Sequence, residues 1–126
     1  MNAYRKVLFA AVGCLLWSGP VFAAPDGTLG MALMAAAVNA DGTLARNTGA
    51  TNVIKLGVGT YEVEFDRNVT QCFYTATVGP AGGGSALGEV NVAPRGGNAN
   101  AIFVDTNASD GTGADKPFFL IVFCAQ

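Results

Sequence analysis

The amino-acid sequence predicts an all-β protein, a single small antiparallel β-sandwich or closed barrel of about eight strands behind a cleaved secretory signal peptide. Three observations carry this expectation. Beyond residue 24 no stretch repeats its apolar residues with the helical period. Gly, Pro, Asn and Asp interrupt the chain roughly every eight to twelve residues, the spacing of turns in small all-β domains. Finally, Phe118-Phe119-Leu120-Ile121-Val122-Phe123 contains no polar break, as in a strand covered on both faces. A chain of 126 residues suits one domain.

The elements follow in chain order. Arg5 and Lys6 precede an apolar run over 7–17, then Ser18-Gly19-Pro20 and Val21-Phe22-Ala23. This is the charged, apolar and small-residue order of a signal peptide, with cleavage expected after Ala23 and the domain over 24–126. The run would make about 16 Å of helix, roughly half a bilayer core, so no transmembrane anchor is expected. The expected location is secreted or periplasmic. Cys14 reads as a small apolar residue of the leader, although Ala11-Val12-Gly13-Cys14 has a faint likeness to a lipoprotein box with Ala in place of the usual Leu.

Residues 31–39 are apolar enough for a short helix, but the Ala40-Asp41-Gly42 turn followed by Thr43-Leu44-Ala45-Arg46 favours a hairpin. Strands are expected over 52–56 and 60–65, joined by Gly57-Val58-Gly59. In the second, Tyr61, Val63 and Phe65 share one face and Glu62 and Glu64 the other, the alternation of a half-buried strand. Residues 72–78 are aromatic and β-branched, whereas 79–85 are too rich in glycine for regular structure. Strands over 89–93 and 101–106 flank the Pro94-Arg95-Gly96-Gly97-Asn98 turn. A polar loop over 107–114 leads into the last strand, 117–124.

Three groups of segments carry a resemblance: Val38-Asn39-Ala40-Asp41-Gly42-Thr43-Leu44; Tyr61-Glu62-Val63-Glu64-Phe65 with Val69 and Cys72-Phe73-Tyr74-Thr75-Ala76-Thr77; and residues 117–124. Together they resemble a small β-rich domain of secreted bacterial and phage-associated proteins, found at the end of some collagen-like or tail-fibre-like chains. The resemblance implies a trimeric, fibre-tip or surface-associated module and brings no catalytic residues with it.

Composition removes several chemistries. The chain has no His, which excludes a Ser-His-Asp triad, a Cys-His dyad, an HExxH zinc site and a histidine pH switch within it. Its formal net charge is -2, which argues against nucleic acid as a partner, because that affinity rests on Lys and Arg neutralising phosphates. Beyond the leader two Cys remain, Cys72 and Cys124. An even pair in an exported chain points to a structural disulfide. The pair lacks the CxxC spacing of redox sites, and no His is present to complete a metal site.

Other constellations read as ordinary surface. Glu62 and Glu64, with Asp66 next in the alternation, have a spacing compatible with a glycosidase pair, but a solvated strand face has the same pattern. Asp105-Thr106-Asn107-Ala108-Ser109-Asp110-Gly111 alternates oxygen ligands as a calcium loop does, yet Gly111 falls one place late and Lys116 occupies the position of the bidentate Glu. Asp110 and Asp115 are the remaining donors for an irregular site. Residues 79–85 lack the Lys of a phosphate loop. Asn68-Val69-Thr70 and Asn107-Ala108-Ser109 fit the glycosylation acceptor pattern, which matters only in a secreting eukaryote. No cofactor or metal is expected.

Three functional classes remain open. The first is a non-enzymatic module acting by contact, in adhesion, surface assembly or partner binding. The second is a small hydrolase using Glu62, Glu64 or Asp66, and the third an inhibitor or immunity-type protein presenting the 79–88 loop. The terminal strand bears on the first. One of its rows, Phe118, Leu120 and Val122, can fill a core, which leaves Phe119, Ile121 and Phe123 in need of a second cover. That cover is either the 31–38 segment or another subunit, and a homo-oligomer, with a trimer favoured, is expected.

Overall fold

The structure, a computed structural model, describes residues 31–125; the expected signal peptide, its cleavage point and Cys14 lie outside the described residues. Eight strands form: β1 (Ala32–Val38), β2 (Leu44–Thr48), β3 (Ala50–Gly57), β4 (Thr60–Phe65), β5 (Phe73–Val78), β6 (Glu89–Pro94), β7 (Ala101–Asn107) and β8 (Phe118–Cys124). They build two four-stranded sheets, sheet A in the order β2-β1-β8-β5 and sheet B in the order β3-β4-β7-β6. Every strand pairing within the sheets is antiparallel. The sheets do not close into a barrel, and the arrangement is sandwich-like. Among the described residues there is no helix, and none that is long and apolar enough to cross a membrane.

The core comes from the central strands of each sheet. β1 turns Met34, Ala36 and Val38 inward, β8 turns Phe118, Leu120 and Val122, β4 turns Tyr61, Val63 and Phe65, and β7 turns Ile102 and Val104, all of them buried. At roughly 1.5–3 kcal/mol for each large side chain fully withdrawn from water, these residues dominate the favourable side of folding. The Tyr61 and Phe118 rings meet across the sandwich with centroids 5.2 Å apart at a tilted 57°, a favoured aromatic geometry. The alanines of β1 have low strand propensity. Pairing overrides it, because every residue of β1 faces one of β8 in unbroken register.

The extended segments expected over 43–46 and 52–56 prove to be the almost continuous strands β2 and β3. The chain passes from sheet A to sheet B at Gly49, where φ is +80° and a Cβ would come within 2.9 Å of Met34 Cγ. An L side chain there meets both the left-handed penalty and a core residue. Gly59 is equally constrained, since its φ is +72° and an added Cβ would lie 2.3 Å from the Thr106 carbonyl oxygen.

Candidate functional site

Strand pairing places the predicted site residues in three separate regions. At one end of the sandwich a disulfide joins Cys72 to Cys124 across a sequence separation of 52. Cys72 immediately precedes β5 and Cys124 ends β8, so the bridge fastens an edge strand to a central one beside the Phe73–Phe123 pair.

The acidic pair lies on the outer side of sheet B. Arg95, from the β6–β7 turn, donates from Nε to Glu62 Oε2 at 2.6 Å. Asn98 Nδ2 donates to Glu62 Oε1 at 2.7 Å and to Glu64 Oε1 at 3.0 Å, and Asn52 Nδ2 reaches Glu64 Oε2 at 3.0 Å. Arg95 holds the Glu62 carboxyl below its usual range, against the opposing effect of burial and with help from Asn98. A general acid of a glycosidase requires the reverse, a carboxyl kept protonated by an apolar pocket. Asp66 does not continue the row, because β4 ends at Phe65 and Asp66 enters the following turn. The arrangement ties the β6–β7 turn to the sheet.

The 105–115 segment turns its oxygens onto its own chain. Asp110 Oδ1 accepts from Thr112 N at 3.0 Å and Thr112 Oγ1 at 2.6 Å. Asp41 and Thr43 repeat the geometry at 2.9 and 2.7 Å in the β1–β2 turn, so the two Asp-Gly-Thr triplets form the same local turn. Asp115 accepts from Lys55 Nζ, from Gly59 N at 2.8 Å and from Tyr61 Oη at 3.4 Å. The buried Thr106 donates from Oγ1 to Ala114 O at 2.7 Å. These contacts clamp the loop onto the β3–β4 turn. Burial, with the Asp115 charge nearby, pushes the Tyr61 hydroxyl up to about 12, and it also donates to Ala40 O at 2.8 Å. Among the described residues no group of three or more His, Cys, Asp or Glu side chains is placed to hold a metal ion. The two glycosylation acceptor patterns differ in access: Asn68 is exposed, whereas Asn107 is buried and donates to Asp105 Oδ2 at 3.1 Å.

The third region is the outer side of sheet A. Cross-strand register aligns Leu33, Phe123 and Phe73 in one row, Ala35, Ile121 and Thr75 in the next, and Ala37, Phe119 and Thr77 in a third. Phe73 is 77% exposed, Leu33 58%, and Ile121 and Phe123 37% each. β1 does not cover them. The 31–38 segment, considered as an internal cover for Phe119, Ile121 and Phe123, lies beside β8 in the same sheet. Compared with protein-family models, curated proteins and solved structures, the chain matches none. The physical character of this face therefore rests on the chain itself.

Its relief follows from side-chain size. Phe119 and Ile121 stand as a ridge along β8. On one side, above the small Ala35 and Ala37, a furrow of about 320 Å³ is bounded by Arg46, Asn47 and Thr48. On the other side, toward Thr75 and Thr77, a smaller one measures about 110 Å³. The Arg46 guanidinium sits 5.8 Å from the Phe119 ring centroid, within cation–π range, and is the sole charged side chain lining either furrow. Sequence reading located Phe119, Ile121 and Phe123 but missed Leu33, Phe73 and Arg46. Their alignment depends on β8 lying between β1 and β5, which alternation within one strand does not reveal.

Proposed function

We propose that the protein is an exported, non-enzymatic β-sandwich that acts by contact, and that its contact surface is the outer side of sheet A, occupied by a second copy of the chain. One observation carries this reading: Leu33, Phe73, Ile121 and Phe123 are exposed on one contiguous apolar face, which Phe119, half-buried beside Arg46 and Gly79, continues. A sheet facing water ordinarily alternates to polar residues on that side, and monomers seldom keep large apolar patches. The relief supports a second copy as occupant, because a β8 ridge beside an alanine-floored furrow is self-complementary about a twofold axis. The ridge of each copy enters the furrow of the other, as isologous contacts require. Export is supported by the disulfide, which persists in oxidising compartments, and by the leader-like first 23 residues.

The test is the double variant Phe119→Asp, Phe123→Asp. Light scattering should show a lower native mass than wild type, with the Cys72–Cys124 bond intact by mass spectrometry before and after reduction. An unchanged native mass would place the contact elsewhere.

A further inference from the structure

Sheet A ends at β5, which pairs only with β8 and lies near β6 of sheet B without pairing with it. Four strands end the two sheets, and three of them carry features that hinder pairing with another chain. β2 has only five residues and includes Arg46, and its pairing with β1 contains a register shift. β3 carries Lys55 and two register shifts. β6 begins at Glu89 and ends at Pro94. Charges, proline, bulges and short length are the usual protections of an exposed edge.

β5 has none of these. Its sequence, Phe73-Tyr74-Thr75-Ala76-Thr77-Val78, contains no charge and no proline, and all six residues pair with β8 in unbroken register. Among the described residues, no turn or loop main-chain hydrogen bond uses residues 73–78, so the side of β5 away from β8 keeps its main-chain donors and acceptors free of such partners. The Cys72–Cys124 bond fixes the start of the strand to β8, which gives an incoming strand a preorganised template. Phe73, the most exposed aromatic residue of the domain at 77%, stands on this same strand.

We infer that β5 pairs antiparallel with β5 of a second copy, joining two A sheets into one continuous eight-stranded sheet. Strand geometry restricts the register. Directly opposed residues must share a face, so the twofold axis passes through a residue and not between two. Centring on Thr75 opposes Phe73 to Thr77 and Tyr74 to Ala76, setting a large side chain against a smaller one in both pairs. Phe73 then gains a neighbour across the seam, and the uncharged strands do not repel each other. This edge pair assembles copies in even numbers, unlike the trimer implied by the resemblance. Combined with the face contact, it makes each chain bivalent, which generates either a closed tetramer or an open fibre.

Cysteine cross-linking tests the register directly. On a Thr75-centred axis the two Cα atoms at position 75 lie about 4.5–5.5 Å apart, within disulfide range, whereas those at position 77 are more than about 13 Å apart. Mild oxidation of Thr75→Cys should give a covalent dimer and Thr77→Cys should not, with the native bridge checked by peptide mass. Amide exchange in residues 73–78 should slow on the order of tenfold as protein concentration rises, and this concentration dependence should vanish in Thr75→Lys. The edge pair is overturned by equal or absent cross-linking at the two positions, or by exchange independent of concentration. A persisting oligomer without the Thr75 cross-link would reject the edge and leave the face contact standing. A Thr75 cross-link in a double variant of unchanged native mass would do the opposite.

Discussion

Sheet B turns Asn52, Glu62, Glu64 and Asn91 to its outer side together with Ile54 and Phe103, whereas the same side of sheet A carries Leu33, Phe73, Phe119, Ile121 and Phe123, and no strand of sheet A contains an acidic residue. Both sheets have four antiparallel strands and an apolar inner face, so architecture does not require the difference. Sheet B mixes the two kinds of residue there, with Glu62 paired between Ile54 and Phe103 in one row, and its carboxylates keep that side polar. Its buried Glu62 carboxylate is matched by Arg95 and Asn98, as a charge withdrawn from solvent must be. Sheet A departs from that pattern. Its outer face sets five large apolar side chains among Thr75, Thr77 and Arg46 with no acidic residue, and the proposed contact rests on that contrast.

The sharpest way to break this comparison is within β8, where adjacent residues face opposite ways. Leu120→Ala should destabilise the dilute protein by about 2–5 kcal/mol in urea unfolding, because it opens a cavity in the core. Ile121→Ala should cost about 0.5 kcal/mol or less, as an exposed site does. Equal losses would mean that the outer row is packed within the domain.

Replacing Cys72 and Cys124 by Ser should lower stability by about 4 kcal/mol in the chain-entropy account of a bridge closing some fifty residues. The same experiment sharpens the comparison of edges, since the freed β5 should lose amide protection before β6 does. Simultaneous loss would show that the bridge acts on the sandwich as a whole.

On sheet B the expected effect is smaller. Arg95→Ala should cost on the order of 1 kcal/mol, because the Arg95 side chain is 34% exposed and solvent screens the pair. The Glu62 carboxyl is held below its ordinary value of 4.5. Its contribution is therefore complete above the ordinary carboxylate range and is lost as pH falls through the lowered folded value. Glu62→Gln should remove that part of the acid-induced loss of stability. An acid profile identical to wild type would show that the pair contributes nothing to folding.

These effects mark what the sequence made legible. Seven of the eight strands were plainly readable, since Tyr61, Val63 and Phe65 alternate with Glu62 and Glu64 and the uninterrupted 118–123 run announces a central strand, while β1 was favoured over a short helix only through the turn that follows it. The cysteine pairing was readable because only two Cys, Cys72 and Cys124, lie beyond residue 24. The choice between sandwich and barrel was not, because it depends on which distant strands share hydrogen bonds. The partners of the charged groups were hidden for the same reason: Arg95 reaches Glu62 from 33 residues away and Lys55 reaches Asp115 from 60. Asp66 was misplaced because alternation does not state where a strand ends. Residues 31–39 were ambiguous because alanine favours helix, and the pairing that overrides it involves β8, at the far end of the chain.

The most direct test of the contact surface is the native mass of the wild-type protein, measured by light scattering across about 10–100 μM, where mass action reveals association. The account predicts an oligomer whose mass decreases on dilution and in the Phe119→Asp, Phe123→Asp variant. A wild-type protein that remains monomeric throughout that range would contradict it, and the apolar outer side of sheet A would then not be a contact between copies.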